Sequence, residues 1–304
     1  MEDKKPLLMK LSPYAAQKVW GGEFLKKQKN IKAESAVGET LEISTLAGQN
    51  STYKNQPLSE ITGELSYLVK LIETTDNLSV QVHPGNEYAA QVENSKGKSE
   101  CWLILDAQVG AGIYLGFKSG VSKEMFQTAI EKGEAVNKLL NFYPVKRGDF
   151  FFVSAGAIHA IGSGVMLAEV QQNCGVTYRV WDWNRLGING KPRELHVKKA
   201  MDVTDFREDR NIKEYFQFQE NVFEHGEFLL AEHEDFNFSI LTEKRTISFR
   251  GPRPNGFINF STSPVKLLNG NFEIELNYLE SGIALAGSEE LSISGKEILL
   301  GQVY

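Results

Sequence analysis

Four polar side chains in this sequence are of the types that bind a divalent metal ion: Gln81, His83, Glu100 and His159. Gln81 and His83 stand two positions apart in an alternating stretch, so on a β-strand their side chains point to the same face. Glu100 stands at the entrance to an apolar run, and His159 follows another apolar run framed by two glycines. Imidazole, carboxylate and amide groups form a mixed nitrogen and oxygen donor set that suits Zn²⁺ or another first-row divalent ion. These residues are therefore a candidate metal site.

Each histidine also has an ordinary alternative role, and the chain has only five of them. A single histidine near a strand end is usually a hydrogen-bonded residue of the core or the surface. The shared face of Gln81 and His83 and the glycine-framed position of His159 favour metal binding over that alternative. The remaining three stand in charged or helical contexts and are expected at the surface: His196, His225 and His233.

The elements that must position these residues are predicted to be mostly β-strands. Short apolar or alternating runs recur between Gly, Asn and Asp residues, for example at 101–105 and 150–153. A helix is predicted over residues 122–133, because Ser122 is a typical N-cap and Gly133 a typical end. Strands at this spacing predict an all-β dominated sandwich or barrel with a few short helices.

A domain boundary is predicted between residues 205 and 240, where the stretch 205–214 is rich in charged residues. Beyond it the chain alternates and turns again, but it contains no cysteine and no histidine after His233. We therefore predict a domain with the metal site over residues 1–220 and a smaller β domain without metal ligands over residues 235–304.

The composition is that of a globular protein with an acidic balance. The chain has 33 Lys and Arg against 39 Asp and Glu, a net charge of -6. Nucleic acid is not expected as a partner, because binding a phosphate backbone requires a basic face. No apolar run reaches the ~18 residues of a membrane span, and the first residues lack the apolar core of a secretory signal, so no membrane association is expected. The only two cysteines, Cys101 and Cys174, fit a reducing compartment and predict a cytoplasmic location.

Several motifs occur in an order that resembles a known enzyme family. Residues 148–159 are similar to the second cupin motif: glycine, five residues, usually proline, one residue, glycine, two residues, histidine. Ser154 stands in the usual proline position. Between about residues 10 and 200 the order of segments is similar to that of type I phosphomannose isomerases in their short bacterial form. The matching segments are Val19-Trp20-Gly21-Gly22, Gly38-Glu39, Gln81-Val82-His83-Pro84, Lys98-Ser99-Glu100, 157–162, Glu169-Val170-Gln171-Gln172 and 177–182.

The resemblance implies a fold, a metal and a reaction. The fold is a cupin-like jelly-roll barrel (a double-stranded β-helix), followed by a smaller, degenerate cupin-like C-terminal domain. One Zn²⁺ per chain is implied, with the ligands Gln81, His83, Glu100 and His159. The implied reaction is the reversible isomerisation of D-mannose 6-phosphate to D-fructose 6-phosphate, and the family's catalytic arginine falls on Arg179.

Three residues are candidates for the chemistry of such a reaction: Arg179, Glu169 and Lys98. We expect Arg179 to stabilise the negative charge of an enediolate, because a guanidinium stays protonated and makes a poor base. Glu169, which shares a strand face with Gln171, is a candidate base or else a structural partner of Arg179 or Lys98. Lys98 is predicted on the face of Glu100, where it contacts a substrate hydroxyl or phosphate, or else it is a solvated loop lysine.

Other points stay open at this stage. The substrate phosphate has three candidate partners: Arg185, Lys98 and Arg179. Residues 173–175 stand where the family usually has a serine-aspartate pair, so a looser orientation of Arg179 is expected. Two other functions are compatible with the motifs: a non-catalytic metal- and sugar-phosphate-binding module or sensor, and a cupin enzyme with another sugar substrate. The sequence does not determine an oligomeric state.

Overall fold

Strands dominate the computed structural model, which describes residues 7–248, 253–285 and 290–304. In chain order they are β1 (Leu8–Lys10), β2 (Tyr14–Gly22), β3 (Val37–Ile43), β4 (Thr52–Tyr53), β5 (Gln56–Pro57), β6 (Tyr67–Glu73), β7 (Val80–Val82), β8 (Glu100–Ala107), β9 (Gly112–Phe117), β10 (Leu140–Pro144), β11 (Phe150–Val153), β12 (His159–Ile161), β13 (Val165–Gln172), β14 (Tyr178–Trp181), β15 (Phe228–Glu232), β16 (Asn237–Leu241), β17 (Arg245–Ser248), β18 (Asn255–Asn259), β19 (Val265–Asn269), β20 (Phe272–Leu276), β21 (Ser281–Ala284), β22 (Glu290–Gly295) and β23 (Leu300–Val303).

Short helices connect the strands. They are α1 (Phe24–Gln28), α2 (Leu58–Thr62), α3 (Asn86–Glu93), α4 (Lys123–Glu131) and α5 (Val197–Val203), with 3₁₀ turns at Val136–Leu139, Glu208–Arg210 and Val222–Glu224. Helix α4 lies where the sequence predicts it, and the Ser122 hydroxyl caps it by accepting a hydrogen bond from the Met125 amide at 3.2 Å. The predicted β-dominated fold with few short helices is confirmed. Over the ranges given above, none of the helices has the length and apolar character needed to cross a membrane.

The chain divides into two compact units that are interleaved in sequence. The metal-site unit contains residues 15–40 and 71–221, and the second unit contains residues up to Tyr14, 41–70 and 222 onward. This division differs from the two continuous domains predicted from sequence. One reason is that β1, near the start of the chain, pairs with β21, so that an early strand completes a sheet of late ones.

The metal-site unit consists of two sheets that pack face to face. One sheet has the strand order β10-β9-β12-β7-β14, and the other contains β11-β8-β13, continued by those parts of β6, β3 and β2 that belong to this unit. Buried side chains from both sheets fill the space between them, including Trp102, Ile113, Phe151 and Leu167. Side chains that alternate inward on these strands therefore meet in one interior.

The outer face of the five-stranded sheet is covered by helices. Val82, Ala160 and Val180 alternate outward from their strands and pack with Phe126 of α4 and Ala200 of α5. Their sequence neighbours point inward by the period of a strand. This alternation determines which polar residues can meet inside.

The second unit contains two larger sheets, with the orders β1-β21-β18-β23-β16-β15 and β17-β22-β19-β20, and the small two-stranded sheet β4-β5. Its core includes Phe257, Leu267, Leu291 and Leu300. Among its described residues no cluster of His, Cys, Asp and Glu suited to a metal ion was found. The prediction that this part is a degenerate cupin-like domain remains a prediction.

Candidate metal centre

Three of the four predicted ligands lie together in the interior of the metal-site unit. One possible ligand atom each of His83, Glu100 and His159 lies within 4.8 Å of the others. Nε2 of His83 is 3.5 Å from Oε2 of Glu100, and Nε2 of His159 is 3.5 Å from Oε1 of the same carboxylate. All three side chains are buried, with 2% or less of their surface exposed. The structure thus contains a closed cluster of two imidazoles and one carboxylate.

Different strands carry the members of this cluster. His159 begins β12, Glu100 begins β8 in the opposing sheet, and His83 directly follows β7. The turn before β12 is bound to the end of β7, because the Gly156 amide donates to the His83 carbonyl at 2.9 Å. Gly156 has φ of 87°, a conformation that side-chain-bearing residues seldom adopt. The glycine of the cupin-like motif therefore sets the distance between the two histidines.

Hydrogen bonds orient both imidazoles so that Nε2 faces the cluster. Nδ1 of His83 lies 3.0 Å from the Val176 carbonyl oxygen, and Nδ1 of His159 lies 2.9 Å from that of Ala157. A carbonyl oxygen only accepts, so each Nδ1 carries a proton, and in the neutral ring Nε2 then keeps its lone pair. Burial is the main reason that the pKa of His159 is lowered to about 4, which keeps this ring neutral at pH 7. Neutral imidazole is the form that binds a metal ion.

Gln81 lies beside the cluster and faces the same interior. It is opposite His159 in the ladder between β7 and β12, and its Nε2 donates to Nε2 of His159 at 3.3 Å. Its Oε1 accepts from the Ser79 hydroxyl at 3.3 Å. The two ends of an amide exchange places by a half-turn of the side chain, so the oxygen can replace the nitrogen at this position. Its role as a fourth ligand stays a prediction.

The Lys98 side chain is enclosed in the cluster. Its Nζ donates to Nε2 of His83 at 2.9 Å, contacts Oε2 of Glu100, and lies 3.9 Å from Oε1 of Glu169. Only 4% of the residue is exposed. The alternative of a solvated loop lysine is therefore wrong, because the polar interior supplies the charge and the hydrogen bonds that the ammonium would otherwise obtain from water.

Glu169 and Gln171 are both buried on β13, with their side chains on one face as expected. Oε2 of Glu169 accepts from the Trp102 indole at 3.2 Å. Nε2 of Gln171 donates to the carbonyls of Gln172 and Cys174 at 2.9 and 2.7 Å. Glu169 therefore stands next to Lys98 and the metal cluster, while Gln171 secures the turn that follows its strand.

Arg179 lies opposite Gln81 on the neighbouring strand β14. His159, Gln81 and Arg179 thus form one row across three strands, which places Arg179 at about 10 Å from His159, two strand spacings away. Nε of Arg179 donates to the Ser79 hydroxyl at 3.2 Å, and Nη1 donates to the Glu194 carbonyl at 2.8 Å. Burial lowers the pKa of Arg179, with the neighbouring Arg193 charge adding to that effect. The guanidinium still stays charged at physiological pH.

Two residues named in the sequence analysis make contacts near Arg179. His196 is partly exposed, and it also bonds the Arg179 backbone, since its amide donates to the Arg179 carbonyl at 2.7 Å and its Nδ1 accepts from the Arg179 amide at 3.3 Å. Arg185 donates to both Asp182 and Asp76, at 2.9 Å in each case. Arg185 thus pairs with two carboxylates, and the choice among Arg185, Arg179 and Lys98 for the substrate phosphate stays a prediction.

Sequence reasoning did not find the contacts that residues 182–196 make with Arg179. The sequence signal for them is weak, because the two acidic and three basic residues of this stretch are typical of an ordinary charged loop. The structure shows that the Arg193 side chain donates to the Asp182 carboxylate and that the Glu194 carbonyl accepts from Arg179.

The chain is similar to named isomerases in sequence and in structure. It is 38% identical over 219 residues to mannose-6-phosphate isomerase ManA of Bacillus subtilis (strain 168), which covers 66% of this chain and 68% of that protein. It is also 38% identical over 205 residues to mannose-6-phosphate isomerase of Streptococcus mutans, an alignment that covers 62% of this chain. The chain thus spans 64% of that relative, slightly less than two thirds of the relative's length. No protein-family model matches the chain.

A solved structure extends this similarity to nearly the whole chain. The crystal structure of the mannose 6-phosphate isomerase from Bacillus subtilis superimposes with a TM-score of 0.83 and 26% sequence identity, covering 98% of this chain and 99% of that one. The cupin-like β fold expected from the motifs is confirmed by this similarity.

Proposed function

The chain belongs to the mannose-6-phosphate isomerase family, and on that premise we propose that it catalyses the reversible isomerisation of D-mannose 6-phosphate to D-fructose 6-phosphate. The observation that carries the proposal is the buried cluster of His83, Glu100 and His159, with Lys98 and Glu169 against it and Arg179 in the same strand row. An aldose–ketose isomerisation needs a base and a stabiliser of an enediolate, and these side chains are of the types that supply both.

We propose Zn²⁺ as the bound ion, one per chain, with His83, Glu100 and His159 as ligands and Gln81 as the fourth. The donor set supports this, because two neutral imidazole nitrogens and a carboxylate converge in a buried position. When bound, the ion would supply a Lewis acid for the sugar oxygens. The Val176 and Ala157 carbonyls bond Nδ1 of the two imidazoles and so orient each Nε2 toward the proposed position of the ion.

The other residues are assigned by their contacts. Glu169 is the proposed base: its carboxylate is buried at the cluster, with Oε2 held by Trp102 and Oε1 toward Lys98. Lys98 is proposed to hold a substrate oxygen, because its ammonium is enclosed among groups that keep it in place. Arg179 is proposed to stabilise the enediolate, since a preorganised cation is most effective where negative charge develops.

The location and the class of substrate complete the proposal. We propose a cytoplasmic location, which is supported by two cysteines that are both buried and free, as is usual in a reducing compartment. The partner is proposed to be a small sugar phosphate, in line with the names of the relatives.

A coupled assay for fructose 6-phosphate tests the proposal. Zinc-loaded protein is expected to convert D-mannose 6-phosphate, and D-mannose without the phosphate is expected to react far more slowly because it lacks the binding energy of that group. Folded, zinc-loaded protein that binds mannose 6-phosphate without forming fructose 6-phosphate would instead identify a binding module or sensor. Turnover of another sugar alone would identify a different cupin enzyme.

A further inference from the structure

The segment 182–196, here called the strap, leaves the end of β14 and returns beside the same strand. Trp183 anchors its start by donating from the indole to the Leu78 carbonyl at 2.6 Å. At its far end Leu186 and Pro192 form an isolated β-bridge, and the Gly187 amide donates to the Lys191 carbonyl at 2.8 Å. The strap is thus a closed loop whose two ends meet at β14.

A single carboxylate joins the two ends of the strap. Asp182 accepts two hydrogen bonds from Arg193, from Nε to Oδ2 at 2.6 Å and from Nη2 to Oδ1 at 2.5 Å. Arg185 donates to the same carboxylate from Nε and Nη2, at 3.2 and 2.9 Å. Asp182 is 6% exposed, and although burial raises its pKa, the Arg193 hydrogen bonds and charge outweigh this and hold the pKa below its ordinary value. Paired, charge-assisted bonds of this type are among the strongest in proteins.

Beyond Arg193, the returning end of the strap forms three hydrogen bonds with Arg179. The Glu194 carbonyl accepts from the guanidinium at 2.8 Å, while His196 bonds both the amide and the carbonyl of the Arg179 backbone. β14 is the last strand of its sheet, so these contacts cover an edge that no other strand of the described residues pairs. The guanidinium is bonded on the other side by Ser79. Its position therefore depends on whether the strap is seated.

We propose that Asp182 is a positioning residue, which clamps Arg193, seats the strap against β14 and thereby fixes the guanidinium of Arg179 in the site. The inference rests on the proposed isomerase function and on the role proposed there for Arg179.

Steady-state kinetics of Asp182→Asn tests the catalytic part of the proposal. The change keeps the size of the side chain but removes the charge that holds Arg193. We expect kcat to fall by roughly 10- to 100-fold, the loss typical of a ~1 Å misplacement, with KM within about twofold of wild type. In an Arg179→Ala background the same change is expected to have no further effect on kcat, because Asp182 acts only through Arg179. Arg193→Lys should lower kcat in the same direction, since an ammonium cannot form the paired bonds.

Hydrogen exchange provides a readout that does not depend on activity. The Arg179 amide donates to Nδ1 of His196, so its exchange rate reports whether the strap is seated. We expect Asp182→Asn to accelerate amide exchange at Arg179 and over residues 184–196, while amide exchange in β7 and β12 stays unchanged. If wild-type protein does not isomerise mannose 6-phosphate, the proposed function fails, and exchange alone then decides whether Asp182 seats the strap.

Asp76→Asn is the matched control. Asp76 is a half-exposed carboxylate that also accepts from Arg185, but it does not contact Arg193. Its removal is expected to leave both kcat and the exchange of Arg179 near wild type. Three results would each overturn the proposal. Folded Asp182→Asn protein could keep wild-type kcat, or its exchange rate at the Arg179 amide could be unchanged. The third is a double variant whose kcat falls by the full product of the reductions in Asp182→Asn and Arg179→Ala.

Discussion

Replacement of His159 by alanine is expected to give a folded protein that no longer retains its metal ion. His159 provides one of three buried donor groups, and its Nε2 faces Glu100 at 3.5 Å. Loss of a residue that only orients a ligand already costs about 10- to 100-fold in metal affinity, so loss of the ligand itself should cost at least about 100-fold. Zinc content per chain, measured after gel filtration in metal-free buffer, should fall close to zero, and fructose 6-phosphate formation should fall with it.

His233→Ala is the control for this experiment. His233 lies in the second unit, where it stacks on Phe236 at 5.0 Å between ring centroids. His233→Ala removes the same imidazole atoms as His159→Ala but should leave zinc content and kcat unchanged. The imidazole of His159 also packs edge-on against Trp102 at 5.3 Å, so the histidine has a packing role as well. Full zinc content in folded His159→Ala protein would show that packing is its only role.

Arg179→Ala is expected to lower kcat by about 10²-fold or more while changing KM little, because a cation that stabilises an enediolate contributes mainly in the transition state. Zinc content should stay at the wild-type level, since a guanidinium is not a metal ligand. Arg179→Lys is expected to restore only part of the rate, because an ammonium cannot donate to both Ser79 and Glu194 in the planar geometry of the guanidinium.

The competing role for Arg179 is capture of the substrate phosphate. In that case Arg179→Ala would raise KM strongly with kcat intact, and turnover of mannose without phosphate would change little. Both constants and the zinc content should be measured on the same samples. A large effect on KM with an unchanged kcat would refute the assignment of Arg179 to the chemical step.

The metal cluster could be predicted from the sequence because strand alternation is a local rule. Val80 and Val82 point outward to the helices, which leaves Gln81 facing inward toward His159. The glycine spacing before His159 likewise encodes a turn whose geometry is local. Residue type, the period of two and the order of the family-like motifs together therefore predicted which side chains share one interior.

The surroundings of the cluster could not be predicted, because they depend on contacts between distant segments. The buried Lys98 ammonium lies beside His83, 15 positions before it, and Glu169, 71 positions further along the chain. The continuous domains predicted from sequence placed β1 in the N-terminal domain, whereas in the structure β1 pairs with β21, near the other end of the chain. The hydrogen bond between His196 and the Arg179 amide joins residues 17 positions apart, and the charged neighbours of His196 gave no signal for it.

Removal and return of the metal ion is the most direct test of the central claim, that the His83–Glu100–His159 cluster supports isomerisation through a bound ion. Protein is dialysed against a chelator, its metal content is measured, and fructose 6-phosphate formation is followed before and after addition of Zn²⁺. We expect activity to disappear with the metal and to return in proportion to the zinc bound, up to one ion per chain. Full isomerase activity in protein whose metal is verified to be absent would contradict the account.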